Sequence, residues 1–216
     1  MASPTVENYL KALFSLSNEE GKVSISDLSK TLGVSPPTAN NMVRKLSERG
    51  LVNYKKYKPL FLTPEGRKEA ALIVRKHRLT EMYLVERMGF GWEEVHDIAE
   101  QIEHVKSPDF FNRMDELMGN PAFDPHGSPI PDEQGIITKP NRQCLSDCKP
   151  GQTVTVVGLA HRSNDFLLLM NDKEIALQTV MRILSKQLFD GSLVVTYPGH
   201  TKEVLSKVIT DKIMVA

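Results

Sequence analysis

Between Gly119 and Gly135 the chain carries four prolines (Pro121, Pro125, Pro129, Pro131) and three glycines. Proline withdraws a backbone donor and fixes φ, and glycine loses more freedom than any other residue on ordering, so regular structure does not run through such a stretch. The segment therefore cuts the 216-residue chain in two. On its N-terminal side apolar residues recur at helical spacing; on its C-terminal side short β-branched runs alternate with turn residues. The expected organisation is a helical head over residues 1–70, a helical middle over 71–118, a linker over 119–140 and a small β module over 141–216, mainly α with a small amount of β.

The head reads as a winged helix-turn-helix. Val6, Tyr9, Leu10, Leu13, Phe14 and Leu16 fall near a 3.6-residue period and Gly21 ends that helix. Ser26 is the expected N-cap of a second helix from Asp27 to Thr31. Gly33 then turns the chain into a third, capped by Ser35, with Pro36 tolerated in its first turn and a stop at Gly50. Two short strands, Leu51–Tyr54 and Leu60–Thr63, flank the basic tip Lys55-Lys56-Tyr57-Lys58-Pro59. In this layout the third helix enters the major groove N-terminus first, which places Ser35, Pro37, Thr38, Asn40 and Asn41 toward bases and sugar-phosphate. Arg44, Lys45, Lys55 and Lys58 supply positive charge for phosphates.

Charge separates head from middle. Residues 1–75 hold 12 Lys and Arg against 7 Asp and Glu, whereas 76–118 hold 5 against 10 and three of the six histidines. A long helix should start near Thr63-Pro64 and run to Met88, followed by helices from about Trp92 to Val105 and from Pro108 to Met118. On the long helix His77 and Glu81 are four apart and share a face. On the next, His96, Glu100, Glu103 and His104 form a polar stripe opposite Val95, Ile98, Ala99 and Ile102. Imidazole and carboxylate at that spacing are donors for a divalent metal of borderline hardness.

The C-terminal texture, with strands at Val154–Val157, Leu167–Leu169, Leu193–Val195 and Lys212–Val215 and a helix over Ala176–Ser185, points to a small SH3-like β-barrel hiding its edges. Cys144 and Cys148 are too few for a zinc site of their own and read as ordinary thiols. No apolar run is long enough to span a bilayer, and Met1–Thr5 has no leader pattern, so a cytoplasmic protein without a membrane partner is expected. No His-Glu-x-x-His, Gly-rich phosphate loop or Gly-x-Ser-x-Gly occurs, which argues against an enzyme or a small-molecule substrate. A metal-independent DNA-binding protein and a metal carrier are the other classes open to these residues.

His77-Arg78-Leu79-Thr80-Glu81, Val95-His96-Asp97 and Glu100-Gln101-Ile102-Glu103-His104 resemble the diphtheria toxin repressor and manganese transport regulator family. So do Val6-Glu7-Asn8-Tyr9-Leu10, Ser35-Pro36-Pro37-Thr38, Leu62-Thr63-Pro64-Glu65-Gly66 and the Asn120-Pro121 to Pro129-Ile130-Pro131 segment. Leu145-Ser146-Asp147-Cys148-Lys149-Pro150-Gly151-Gln152 is similar, more loosely, to a FeoA-type domain. The resemblance implies a homodimeric repressor of metal-uptake genes that binds palindromic operator DNA when loaded with Mn(II), or alternatively an Fe(II)-dependent repressor. It implies two metal sites: Asn8 with Glu100, Glu103 and His104, and His77 with Glu81 and His96, to which the C-terminal module adds Asp165. Lys11 and Arg162 stand where carboxylates would be expected.

Overall fold

The computed structural model describes residues 3–18 and 20–216. The chain divides into two compact units, one of Met1–Thr80, Glu100–Arg113 and Ile130–Thr138, the other of Glu81–Ala99, Met114–Pro129 and Lys139–Ala216.

In the first unit, α1 (Pro4–Leu16) begins at Ser3, whose Oγ accepts from the Val6 N–H at 3.4 Å. Helix α2 (Ile25–Thr31) is capped by Ser24 rather than by Ser26. Ser24 accepts from the Asp27 N–H at 3.0 Å and its hydroxyl donates to the Asp27 carboxylate at 2.6 Å. Of the two serines, only Ser24 has an acid three residues on to close this reciprocal cap. Helix α3 (Pro36–Glu48) starts at Ser35 as the sequence suggests. β1 (Val52–Asn53) and β2 (Phe61–Leu62) pair antiparallel, and Val23 adds a bridge to Leu60. Leu10, Leu13, Leu28, Val43, Leu46 and Leu60 are fully buried between these elements, fixing α3 against α1 and the hairpin.

Helix α4 (Pro64–Met88) enters against β1 so closely that a Cβ on Gly66 would lie 1.9 Å from the Leu51 carbonyl oxygen. Only glycine fits there, and Thr63 locks the turn by accepting from the Gly66 N–H at 3.0 Å and donating to the Gly50 carbonyl at 2.7 Å. Helices α5 (His96–Ile102) and α6 (Pro108–Leu117) follow. The expected start of α5 at Trp92 is instead a turn, in which Glu94 accepts from the Gly91 N–H at 2.8 Å.

The second unit is built on a six-stranded antiparallel sheet of β3 (Gln143–Cys144), β4 (Thr153–Leu159), β5 (Val180–Lys186), β6 (Leu193–Tyr197), β7 (His200–Leu205) and β8 (Ile213–Val215), in the order β3-β8-β4-β5-β6-β7. The expected SH3-like barrel is not formed: the sheet is open. Closure requires the two end strands to pair around the axis, and β3 and β7 are not neighbours in that order. β3 has two residues, and β7 carries the exposed Lys202, so short length and charge blunt the edges instead.

Two assignments in this module exchange places. Leu167–Leu169 lies in helix α7 (Asn164–Asp172), capped by Ser163, with Phe166, Leu167 and Met170 buried. The expected helix at Ala176–Ser185 is largely strand β5, in which Met181 and Ile183 point into the core and Val180 and Arg182 out. A run of three leucines fits either period, whereas the cap and the i, i+4 pair Phe166–Met170 decide for helix. A short helix α8 (Lys207–Thr210) precedes β8.

Candidate metal centres and nucleic-acid interface

Helix α3 presents Ser35, Pro37, Thr38, Asn41, Arg44 and Lys45 to solvent, with Asn40 half-buried, because Ala39, Val43 and Leu46 take its inner face. The Ser35 hydroxyl is engaged in the cap, accepting from the Thr38 N–H at 3.3 Å and lying 2.8 Å from the Thr38 hydroxyl. Arg44 lies 6.0 Å over the Tyr54 ring, which holds a guanidinium beside the hairpin. At the tip Lys55, Lys56 and Lys58 are exposed, and Tyr57, at φ 63, projects with 91% of its surface free. The surface is thus a small-residue helix N-terminus flanked by cations, a combination suited to groove and phosphate contacts.

In the same unit, α1, α4 and the end of α5 bring together Glu7, Lys11, His77, Glu100, Glu103 and His104. Glu103 is fully buried. His77 Nδ1–H donates to its Oε2 at 2.6 Å, and Lys11 Nζ donates to Oε2 at 2.8 Å and lies 2.7 Å from Oε1. Burial pushes the Glu103 carboxyl up, but the His77 hydrogen bond and the Lys11 ammonium more than offset it and hold it below the usual carboxylate range. His104 Nδ1–H donates to Glu7 at 2.6 Å. In the neutral ring that leaves the Nε2 lone pair, 3.9 Å from Glu103 Oε1. A carboxylate behind an imidazole is how metal-ligating histidines are oriented. Asn8 Oδ1 is buried with no hydrogen-bond partner, as an acceptor awaiting a cation would be. The residue types suit a divalent ion, and His104 Nε2 and Glu103 Oε1 face each other, but a cation of the chain is already there: Lys11 Nζ also bonds Glu100 Oε1 and so brings a positive charge to the carboxylate pair.

The second centre belongs to the second unit. Glu81, Asp124 and His126 are all buried, and each offers a ligand atom within 4.8 Å of the others. His96 Nδ1 lies 3.5 Å from Glu81 Oε1. The His126 ring is set by its neighbours: Nε2–H donates to the Trp92 carbonyl at 2.8 Å, and Trp92 stacks on the ring with planes 16° apart. The neutral ring then has its lone pair on Nδ1, which is buried, without a hydrogen-bond partner, and 3.8 Å from Glu81 Oε2. Asp124 Oδ1 accepts from the His126 and Ser128 N–H groups at 2.9 and 2.8 Å, folding the proline-rich stretch into a buried turn. Gly127, at φ +82, lets that turn touch β4, where a Cβ would meet Val157 O at 2.3 Å. These donors fit a divalent cation. Arg162 reaches Asp124 Oδ2 at 3.3 Å, and Asp165 is exposed in the first turn of α7.

Sequence reasoning missed Glu7, Asp124 and His126. Asp124-Pro125-His126-Gly127 reads as linker, and its only signal is a histidine beside an acid between prolines. Cys144 and Cys148 join neither centre; burial pushes both thiols up, so they stay protonated.

Residues 1–60 match the family described as iron dependent repressor, N-terminal DNA binding domain; residues 63–132 match iron dependent repressor, metal binding and dimerisation domain; and residues 143–216 match the FeoA domain. The iron-dependent repressor IdeR of Mycobacterium tuberculosis is 32% identical over 212 residues, covering 93% of this chain and 92% of the relative. The HTH-type transcriptional regulator MntR of Bacillus pumilus is 34% identical over 118 residues, 55% of this chain and 81% of the relative. Among solved structures, a manganese-dependent transcriptional repressor in complex with manganese superposes with a TM-score of 0.85 at 34% identity, covering 98% of this chain and 99% of that one. ScaR with bound Cd2+ superposes at 0.80 with 28% identity over 98% of both chains.

Proposed function

We propose, from the premise that the chain belongs to the diphtheria toxin repressor and manganese transport regulator family, that Mn(II) is the ion that switches it on. The protein is a metal-dependent transcriptional repressor of metal-homeostasis genes, not an enzyme, and binds operator DNA as a dimer loaded with a divalent metal, Mn(II) or Fe(II). No helix among the described residues is long and apolar enough to cross a membrane.

The observation that carries the manganese reading is the donor chemistry. Glu81, Asp124 and His126 offer ligand atoms within reach of one ion, and Glu100, Glu103, His104 and Asn8, the set we assign to the first centre, likewise carry carboxylate, imidazole and amide atoms and no thiolate. Oxygen-rich sets suit Mn(II), whereas thiolates draw softer ions. Fe(II) is the second reading, favoured by the names of the 32%-identical relatives.

We assign the DNA-reading role to residues 1–70, with Ser35, Pro37, Thr38, Asn40 and Asn41 toward the groove and Arg44, Lys45, Lys55 and Lys58 on phosphates. Residues 71–118 carry the metal-binding and dimerisation role and 141–216 a FeoA-type accessory role, with 119–140 between them. A bound divalent ion would supply the positive charge that these donors lack. Asn8 on α1 and Glu103 and His104 after α5 would hold that ion, tying the first helix of the head to a single arrangement. A ligand favours one arrangement only by binding it more tightly than the other. Two heads on a two-fold axis then match a palindromic operator in the cytoplasm.

The test is an anaerobic operator-binding titration of the full chain with Mn(II) and with Fe(II). Mn(II) should activate wild type, and Glu103→Gln and His104→Ala should lose that activation. Activation by Fe(II) with none by Mn(II) at any concentration would transfer the role to iron.

A further inference from the structure

We propose that Lys11 is a tethered cation resident in the Glu100–Glu103 carboxylate pair, which an incoming divalent ion must expel, so that Lys11 sets the metal threshold of the switch. The inference rests on the proposed metal centre formed by α1 and the end of α5.

Lys11 Nζ touches three carboxylate oxygens: Glu100 Oε1, Glu103 Oε1 at 2.7 Å and Glu103 Oε2 at 2.8 Å. Its side chain is 15% exposed and that of Glu103 not at all, so the interaction is shielded from water rather than a screened surface pair. A buried carboxylate needs a compensating charge. Lys11 supplies it, donating to Glu100 Oε1 and Glu103 Oε2, while Glu103 Oε1 keeps no hydrogen bond of its own. An ion bonded to Glu103 Oε1 would sit about 2.0–2.2 Å from that oxygen, while Nζ stands only 2.7 Å from the same atom. Two cations cannot share that place without strong repulsion.

The same geometry makes expulsion feasible. Lysine carries a compact charge on a flexible four-carbon stem, so it can swing away without moving α1, whereas a planar guanidinium bound through two parallel hydrogen bonds would be harder to release. Asn8, one turn earlier on the same face of α1, adds no charge to draw the metal in. With Lys11 seated, apparent metal affinity is reduced by the fraction of time the pair is free. The ion-free fold keeps a charge-compensated carboxylate pair, and the switch responds only above a concentration that outcompetes the ammonium.

The experiment measures Mn(II) binding by electron paramagnetic resonance, and thermal melting, on the full-length protein and its Lys11→Met, Lys11→Gln and Lys11→Arg variants. Each is compared with the same background carrying Glu103→Gln, so that binding at this centre is counted separately. Lys11→Met should tighten the Glu103-dependent site by about tenfold or more, the scale of one partly screened charge interaction. It should lower the melting temperature without metal and enlarge the rise on adding Mn(II). Lys11→Gln repeats the comparison if the methionine variant does not fold, and Lys11→Arg should bind metal no more tightly than wild type. Unchanged or weaker Glu103-dependent binding in the neutral variants overturns the proposal. So does the lack of any Glu103-dependent binding in every protein. If operator binding still answers to metal in those cases, the repressor reading stands and only the role of Lys11 falls; an operator that answers to no divalent ion instead removes the metal-switch reading itself.

Discussion

Glu103 and His126 are both buried ligand candidates, and each is held in place by a different kind of local chemistry. Glu103 sits in a helical stripe with Glu100 and His104, where a 100° step predicts a shared face. His126 sits in a stretch with no period, and it is buried because the Asp124 side chain ties the backbone into a turn and Gly127 seats that turn on β4. Glu7 was hidden for another reason: an acid in the first turn of a helix is favourable without any partner, so it carries no metal signal. In the second unit, Tyr197 gives a pH prediction. Burial first, then the Glu203 and Glu174 charges, push its phenol up to about 12, while its hydroxyl donates to the Lys173 carbonyl at 2.9 Å. The folded state therefore keeps a proton that the unfolded chain releases near pH 10. Its contribution is fully present below about pH 10 and lost as pH rises toward 12. Urea denaturation at a series of pH values from neutral to alkaline should show wild-type stability falling more steeply than that of Tyr197→Phe; parallel curves would remove the phenol as the cause.

At the scale of elements, legibility followed local chemistry. Ser35-Pro36 and the Gly33 and Gly50 punctuation place α3 within a residue of its observed span, because capping and proline sterics act within one turn. The α7 and β5 exchange shows the limit: short apolar runs carry no decisive period, and the side that is buried depends on partners distant in sequence. Replacing Ser35 with Ala removes the oxygen that serves the Thr38 N–H. Stability should drop by about 1 kcal/mol, read from chemical denaturation. Thr38→Ala with Asn40→Ala should instead leave stability and metal content in place and weaken operator binding specifically, since Thr38 is exposed and Asn40 half-buried on the outer face of α3. Lys55→Ala with Lys58→Ala should weaken binding to all duplexes alike. The slope of log affinity against log salt should fall by about 0.9 for each phosphate that is no longer neutralised. A sequence-selective defect from the tip lysines would reverse these two assignments.

For the whole molecule, the sequence marked where the texture changes but could not show whether the β module closes. Strand count and alternation are the same for a barrel and an open sheet; closure depends on whether β3 and β7 meet, and the chain order of the strands does not encode that. The same long-range placement gives each unit its own set of metal donors and its own charged side chain near them, Lys11 at Glu103 and Arg162 at Asp124. The two centres can be told apart in one experiment because the chain has a single tryptophan. Trp92 stacks on His126 with ring centroids 6.1 Å apart, its carbonyl accepts from His126 Nε2–H, and its indole N–H donates to Asn171 Oδ1 at 2.8 Å. Coordination through Nδ1 changes the ring against which the indole lies, and a paramagnetic ion close to it quenches emission. Titrating the full chain with Mn(II) should bind two ions per subunit by electron paramagnetic resonance, with Trp92 emission tracking one of them. His126→Ala should abolish the emission change and leave one ion bound, whereas Glu103→Gln should lose the other ion and keep the emission change. If His126→Ala leaves both the count and the quenching intact, the Glu81–Asp124–His126 cluster is a buried polar turn and not a metal centre.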